Sequence, residues 1–350
     1  MSRNHYFYSY FIVIVFLGIA GCATHSPSSI DELQLATAPA NVNGRDVFID
    51  QDTIAQVRDF GQQNIGGFST GIFATYDEMI QNEHSSFFVP NEQPFIGKVW
   101  VWNNDHLAHN FVIICQLNYT QIPCSSDLSK AEFRDISSNQ DFFLPIEIKD
   151  LVEGMQDLEV LIIKDPFVGL ETSNSGKRRS TDGSPASANL YIKQTYPPQN
   201  TSPLNPEIKK GPIWDAPFFI SKLSDPYVNN NSIQNWLDEI AGVKDVMSFF
   251  IHLGGADDPE DHTVVFSAFL NYEQIPLIVN GEPHLPLYLS REAKTWQFVP
   301  VSVQLPDVPG DYEFVLVERE YPHSYFEIDG EYIGKAFTEF SQRIRVSIHP

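Results

Sequence analysis

Apolar residues in this chain fall into short runs, and most of them alternate. From Phe298 to Val303 the alternation is strict, with Phe298, Pro300 and Ser302 on one face and Val299, Val301 and Val303 on the other. A period of two is the mark of a strand with one buried face. Val99-Trp100-Val101-Trp102 and Ser248-Phe249-Phe250-Ile251 open further strands, being rich in β-branched and aromatic residues. Glu159 to Ile163 and Glu313 to Val317 are short, strongly apolar strands. Asn280-Gly281, between Leu277-Ile278-Val279 and Leu285-Pro286-Leu287, predicts a type I′ hairpin, because both central residues of that turn need positive φ. Many short strands with frequent turn signals predict an all-β sandwich architecture. Helix is minor. Ile233, Trp236, Leu237 and Ile240 follow a helical period behind Ser232, so a helix is predicted over Ile233 to Ala241. Thr53 to Phe60 and Thr75 to Gln81 are weaker helical segments.

The pattern is written twice. His109 to Pro123 reads HNFVIICQLNYTQIP and His262 to Pro276 reads HTVVFSAFLNYEQIP, with eight of fifteen positions identical at an offset of 153. Phe143 to Ile146 matches Phe298 to Val301, Gly154 to Val160 matches Val308 to Phe314, and Asn189 to Ile192 matches Arg343 to Val346, the last two at offset 154. A period this long is a duplicated domain, since solenoid repeats span about 20–50 residues. The expected organisation is a leader over 1–21, a polar tether over 22–45, a first sandwich over 46–196, a proline-rich linker over 197–212 and a second sandwich over 213–350.

Two resemblances sharpen this picture. Arg3 is the only charged side chain before Asp31, and the apolar stretch Tyr10 to Ala20 is too short to span a bilayer. It ends in Ile19-Ala20-Gly21-Cys22, which resembles the lipobox of bacterial lipoproteins. The resemblance implies a signal peptide cut before Cys22 and fatty acyl chains such as palmitate on that cysteine. It also implies a membrane anchor and a place in the cell envelope, with Ala23 leaning toward the outer membrane. Second, Pro309-Gly310-Asp311-Tyr312-Glu313-Phe314-Val315 resembles the E–F corner and F strand of immunoglobulin-like domains. That resemblance implies two tandem immunoglobulin or fibronectin type III-like β-sandwiches, with the Tyr312 hydroxyl bonded to upstream backbone. The first copy aligns Leu158 there, which cannot make that bond.

Charge and cysteine usage narrow the partners. The 350-residue chain carries a net charge of −23, which repels nucleic acid. With Cys22 assigned to lipid by the resemblance, Cys115 and Cys124 remain as an even pair, expected to form a disulfide outside the cytoplasm.

No G-x-S-x-G, H-E-x-x-H, P-loop or paired C-x-x-C motif occurs, although a dispersed Ser/His/Asp triad stays open. Asp257, Asp258, Glu260 and Asp261 crowd one loop, and such oxygen ligands suit either Ca²⁺ or a solvated turn. Asn103 to His106 occupies the same place in the first copy. His109 and His262 stand at equivalent points, as ligands or pH-sensitive groups, or as ordinary hydrogen-bonding residues. Tyr119 and Tyr272, in the shared Leu-Asn-Tyr-x-Gln-Ile-Pro segment, suit a binding surface or a structural role. Trp100, Trp102, Trp296 and Phe298 fit a core or interface better than a sugar platform. Lys177-Arg178-Arg179 lies in a Ser/Gly-rich loop. Apart from the Ca²⁺ alternative, no cofactor is expected. The resulting expectation is a lipid-anchored, non-catalytic protein of binding, adhesion or scaffold type, with a protein or glycan partner. The alternative is a secreted hydrolase or carbohydrate-active accessory protein with its site at the domain interface.

Overall fold

The repeated segment folds as the central strand of a sandwich in each half of the computed structural model. The structure describes residues 67–74, 86–89, 93–168, 183–192, 203–209, 218–224, 245–254, 260–323 and 337–349, with short pieces at 41–42, 45–46, 227–228, 232–233, 237, 239–241, 325–328 and 331–334. In the first sandwich β1 (Phe68–Ala74), β3 (Phe95–Asn103) and β7 (Gln140–Ile148) form one antiparallel sheet. The other sheet runs β2 (Ser86–Val89), β9 (Gly183–Ile192), β8 (Gly154–Lys164), β4 (His109–Leu117), β5 (Thr120–Ile122), and β6 (Ala131–Ile136) also pairs with β4. Only β2 joins it in parallel, against β9.

The second sandwich repeats the plan with additions. One sheet is built from β10 (Glu207–Lys209), β11 (Phe218–Ser221), β13 (Val246–Leu253), β16 (Leu277–Val279), β17 (Glu282–His284) and β19 (Trp296–Gln304). The other contains β12 (Glu239–Ala241), β14 (His262–Leu270), β15 (Glu273–Ile275), β18 (Leu287–Arg291), β20 (Gly310–Glu320), β21 (Thr338–Phe340) and β22 (Ile344–Ile348). Again a parallel pairing lies at the edge, β12 on β22. These are two immunoglobulin-like β-sandwiches within one compact unit over residues 41–350.

Pairing registers correct the alignment of the two copies. Leu158 faces Leu117, and Phe314 faces Leu270. Leu270 stands 153 residues after Leu117, so Phe314, not Tyr312, is the counterpart of Leu158. From β8 and β20 onward the offset is therefore 156, and Gly154 opposite Ile192 matches Gly310 opposite Ile348. A slip of two residues leaves every side chain on its own face, so apolar patterning cannot register it. The counterpart of Tyr312 is Gln156. Tyr312 donates its hydroxyl to Val308 O at 2.8 Å, as the immunoglobulin resemblance implies, and Gln156 donates Nε2 to Val152 O at 2.5 Å. The first copy makes the corner bond with an amide, contrary to the reading based on Leu158.

Strand alternation also explains why β8 is buried along all eleven residues. Leu158, Val160 and Ile162 enter the first core, where the Cys115–Cys124 disulfide also lies. Leu161 and Ile163 point the other way, into a third cluster with Val112, Ile114, Phe269, Tyr272, Val315 and Val317. A strand covered on both faces reads as a continuous apolar run.

Other expectations changed. Ser232–Ile233 pairs with Tyr227–Val228, and Glu239–Ala241 pairs with Arg345–Ser347, so both described ends of the predicted helix are strand pieces. Leu237 and Ile240 are buried as expected, Ile240 from the edge strand β12 and Leu237 with its N–H donating to Ile220 O at 3.0 Å; at Glu239–Ala241 sheet pairing outweighs a helical period. Part of the stretch read as linker pairs with the second sandwich. Leu204 N donates to Tyr288 O at 3.0 Å, its carbonyl accepts from Ser290 N at 2.8 Å, and β10 pairs with β19. The Asn280-Gly281 turn forms as predicted, with φ of 53° and 87°. Cys22, both weaker helical segments and the Lys177-Arg178-Arg179 loop lie outside the described residues.

Candidate functional site

The shared Leu-Asn-Tyr-x-Gln-Ile-Pro segment builds the seam between the sandwiches. Asn118 and Tyr119 close the β4–β5 hairpin with φ of 50° and 65°, and Asn271 and Tyr272 close β14–β15 with 48° and 68°. Two positive φ values suit a type I′ turn, whose second position ordinarily belongs to glycine. Bulky tyrosine is strained there, and such strain persists only where surroundings enforce it. What enforces it is on the inner side of the turn. Asn118 N donates to Asp157 O at 2.8 Å and its Oδ1 accepts from Asp157 N at 3.0 Å. Asn271 does the same with Glu313, at 2.8 Å in both directions. Each tyrosine hydroxyl then donates to that carboxylate, Tyr119 to Asp157 at 2.5 Å and Tyr272 to Glu313.

Across the seam the two copies exchange bonds reciprocally. Gln121 N donates to Gln274 Oε1 at 2.6 Å, and Gln274 N to Gln121 Oε1 at 2.7 Å. Gln121 Nε2 donates to Tyr272 O at 2.9 Å, and Gln274 Nε2 to Tyr119 O at 2.8 Å. When residue i contacts j and the counterpart of j contacts the counterpart of i, the interface is isologous, as in a twofold dimer. The aromatic contacts obey the same rule. Tyr272 packs on Phe133 and Phe167, with centroids at 6.1 and 5.2 Å, and Tyr119 packs on Tyr288 and His323, at 6.4 and 5.2 Å.

The two corners differ in chemistry. At the first, His323 Nδ1 lies 2.8 Å from Asp157 Oδ2, His323 N donates to the same oxygen at 2.9 Å, and Nε2 lies 3.1 Å from the Tyr288 hydroxyl. Burial opposes the Asp157 charge, yet the bonds from His323 and Tyr119 and the nearby Arg319 outweigh it and hold the carboxyl below its usual range. At the second corner, burial pushes Glu313 above its usual range, and the Tyr272 bond and Arg343 offset this only in part. Arg343 Nε sits 3.5 Å from Glu313 Oε1, while its terminal nitrogens donate to Lys164 O and Asp165 O of the first sandwich. Burial drives both tyrosine phenols far up, with the adjacent carboxylate adding to the effect. Between the corners, Arg319 Nη1 reaches Glu159 Oε1 at 3.2 Å, and Gln116 Nε2 donates to Ser267 Oγ at 2.9 Å.

The other candidate residues are dispersed. Tyr119 and Tyr272 are 2% and 1% exposed, so they serve the seam and not an outer surface. His109 sits between carboxylates, with Nδ1 2.8 Å from Asp165 and Nε2 3.0 Å from Asp105. Lys164 bonds Asp105, and that bond, against the cost of burial, holds the Asp105 carboxyl far below its usual range. His262 instead stacks on Tyr321 at 4.1 Å, and Tyr321 occupies the place of Asp165. Asp257 and Asp258 lie outside the described residues, Glu260 is exposed, and Asp261 Oδ1 accepts from Ala293 N at 2.8 Å as a turn anchor. Among the described residues no group of three or more metal-ligating side chains converges. Trp100, Trp102, Trp296 and Phe298 are all buried. Ser221 Oγ meets His252 Nε2 at 2.8 Å, but both residues are wholly buried and both also bond Leu223 O, which makes the pair a structural turn.

Sequence reasoning missed His323, Arg343 and the glutamine exchange. One signal was present: Gln121 and Gln274 are polar, identical and embedded in the best-matched segment of two otherwise diverged copies.

No protein-family model matches the chain, and no curated protein matches it. Among solved structures it is similar to the CARDB domain of a Pyrococcus furiosus protein in complex with di-metal ions, at TM-score 0.24 and 12% identity over 37% of this chain and 90% of that one. It is similar to red sea bream transglutaminase, at TM-score 0.21 and 9% identity over 86% of this chain and 34% of that one. A third likeness is to CBD12 from CALX1.2, at TM-score 0.20 and 11% identity over 73% of this chain and 96% of that one. Likenesses this distant say nothing of activity or ligand.

Proposed function

We propose that this chain is a non-catalytic binding or scaffold protein of the cell envelope, anchored through acylated Cys22, in which two immunoglobulin-like modules act as one body. The reciprocal seam is the observation that carries this reading. Gln121, Gln274, Arg319 and Arg343 bond across it, and the place where the hydrolase alternative would put a site is filled by Val112, Ile114, Phe269 and Val315. Two modules fixed in this way offer a partner a surface that a flexible pair would have to order on binding, at entropic cost. The partner is a protein or glycan of the envelope; the acidic surface disfavours nucleic acid. The test compares the purified, delipidated chain with its Gln121→Ala/Gln274→Ala variant in capture from envelope extract. The reading expects a partner retained by the first and weakened at least tenfold by the second. Equal capture by both would refute the single-body reading, and glycan cleavage by the purified chain would refute the non-catalytic one. Intact-mass measurement is expected to find an acylated Cys22 as first residue; an unmodified chain starting at Met1 would remove the anchor.

A further inference from the structure

We propose that Arg134 guards the outer edge of β6, capping backbone that would otherwise take up the same edge of a second copy of this chain. The basis is what covers the equivalent edge in the other sandwich. Phe111 faces Arg134, and Val264, 153 residues on, faces Leu289. Arg134 is therefore the counterpart of Leu289, Phe133 of Tyr288 and Asp135 of Ser290. On β18 the outward groups are taken: Leu204 N donates to Tyr288 O at 3.0 Å, and Ser290 N donates to Leu204 O at 2.8 Å. The Leu204 side chain packs on the core that holds Leu287 and Leu289.

Among the described residues, β4 alone pairs with β6. Phe133 is 39% exposed, and Asp135 is exposed as well. In the places of Leu287 and Leu289 stand Glu132 and Arg134. Glu132 accepts from Ser129 N at 2.7 Å and from Arg134 Nη2 at 2.6 Å. Held there, the guanidinium lies over the Phe142 ring, 5.8 Å from its centroid, and donates from Nη1 to Phe133 O at 2.8 Å. Phe142 packs against the first core. One side chain thus does both things that Leu204 does on β18: it occupies the outward carbonyl, and it covers the rim of the core. Open backbone at a sheet edge is a template for pairing with another chain, and inward-pointing charge blunts it. If two β6 edges paired antiparallel about a twofold axis, Arg134 would stand opposite the same residue of the second copy. Asp135 N of each chain would then donate to Phe133 O of the other. Like charges directly opposite are destabilising, so the guanidinium opposes this pairing twice, by capping the carbonyl and by facing itself. Leucine at this position would do neither.

Sedimentation equilibrium of the delipidated, disulfide-bonded full chain over a series of concentrations tests the guard. The unsubstituted chain is expected to keep the mass of a single chain. Arg134→Leu, which installs the residue of the twin edge, is expected to double in mass as concentration rises. Adding Asp135→Pro removes the outward N–H without touching the ladder to β4, and should return the mass to that of one chain. An Arg134→Leu chain that stays single overturns the proposal. So does a double variant that still pairs, or an unsubstituted chain that pairs as strongly as Arg134→Leu. Amide hydrogen exchange on the unsubstituted chain decides the matter should Arg134→Leu fail to fold. The outward Asp135 amide is expected to exchange at least about tenfold faster than the Arg134 amide, which faces β4. Equal protection of the two would mean a covered edge with nothing to guard.

Discussion

In the first sandwich Cys115 and Cys124 form a buried disulfide; 153 residues on, Ala268 and Leu277 fill the same two places. Leu277 opens β16, which joins β19 through Ile278 opposite Ser302 and folds back with β17. In the first sandwich the described link from Cys124 to the same sheet is one bond, Glu147 N to Cys124 O at 2.9 Å. One copy ties this crossing segment down covalently, and the other does so with a hairpin. The seam corners diverge likewise, with His323 on one tyrosine where Phe167 packs on the other, and Arg343 standing 156 residues after Ser187. Backbone register is held constant between the copies, while the means of fastening it has been free to change.

The largest effect is expected where one corner depends on a single cation. Arg343→Met leaves Glu313 buried without it and strips two carbonyls of the first sandwich of their donors. Removing one partner of a buried ion pair costs about 3–5 kcal/mol. Arg345→Met, which breaks the partly exposed pair with Asp311, should cost at most about 1 kcal/mol. Urea unfolding of both variants checks this, and similar losses would mean that the Arg343 corner is not the fastening described.

The disulfide comes next. Cys115→Ala with Cys124→Ala should cost about 2–3 kcal/mol, as expected for a short loop. Cys115→Ala with Cys124→Leu, the pair the second sandwich uses, should lose less, because leucine refills volume that alanine leaves empty. Midpoints under non-reducing conditions measure the difference. A leucine version no better than the alanine one would show that the hairpin, and not the volume, replaces the disulfide.

How much of this was legible in the chain depends on what each pattern can encode. Strand faces were legible because Val299, Val301 and Val303 all reach the core, and a one-residue slip would have exposed them. The hairpin at Asn280-Gly281 was legible because its φ values demand those residues. The two-residue offset between β8 and β20 was not, since it preserves every face; only pairing reveals that Asp157 answers Glu313. The stretch from Ile233 to Ala241 misled because Leu237 and Ile240 are buried whether they arrive by helix or by strand. At the seam, the repeated Asn-Tyr and Gln were visible as identities. Their purpose was hidden, because a residue that binds the other copy of its own fold leaves the same trace as one that builds the fold. His323 lies outside the matched stretches and Arg343 was aligned with Asn189, so neither has a counterpart of its kind and repeat analysis passes over both.

The smallest effect is also the finest test of corner asymmetry, because the twin carboxylates are shifted in opposite directions. Asp157 lies below its unfolded value of about 3.9, so its ionised form contributes stability that is present above that pH and is lost as pH falls through the folded value. Glu313 lies above its unfolded value of about 4.3, so its protonated form contributes stability below that pH, which is lost as pH rises through the folded value. The stability gap between the unsubstituted chain and Asp157→Asn should therefore widen as pH rises from about 3 to 5. The gap to Glu313→Gln should narrow from about pH 4 upward. Both variants keep the size of the side chain and an oxygen that accepts the tyrosine hydroxyl, so the comparison isolates charge. Urea midpoints at half-unit intervals from pH 3 to 7 would reveal the opposing slopes. Parallel curves would mean that the two corners, for all their different neighbours, hold their carboxylates alike.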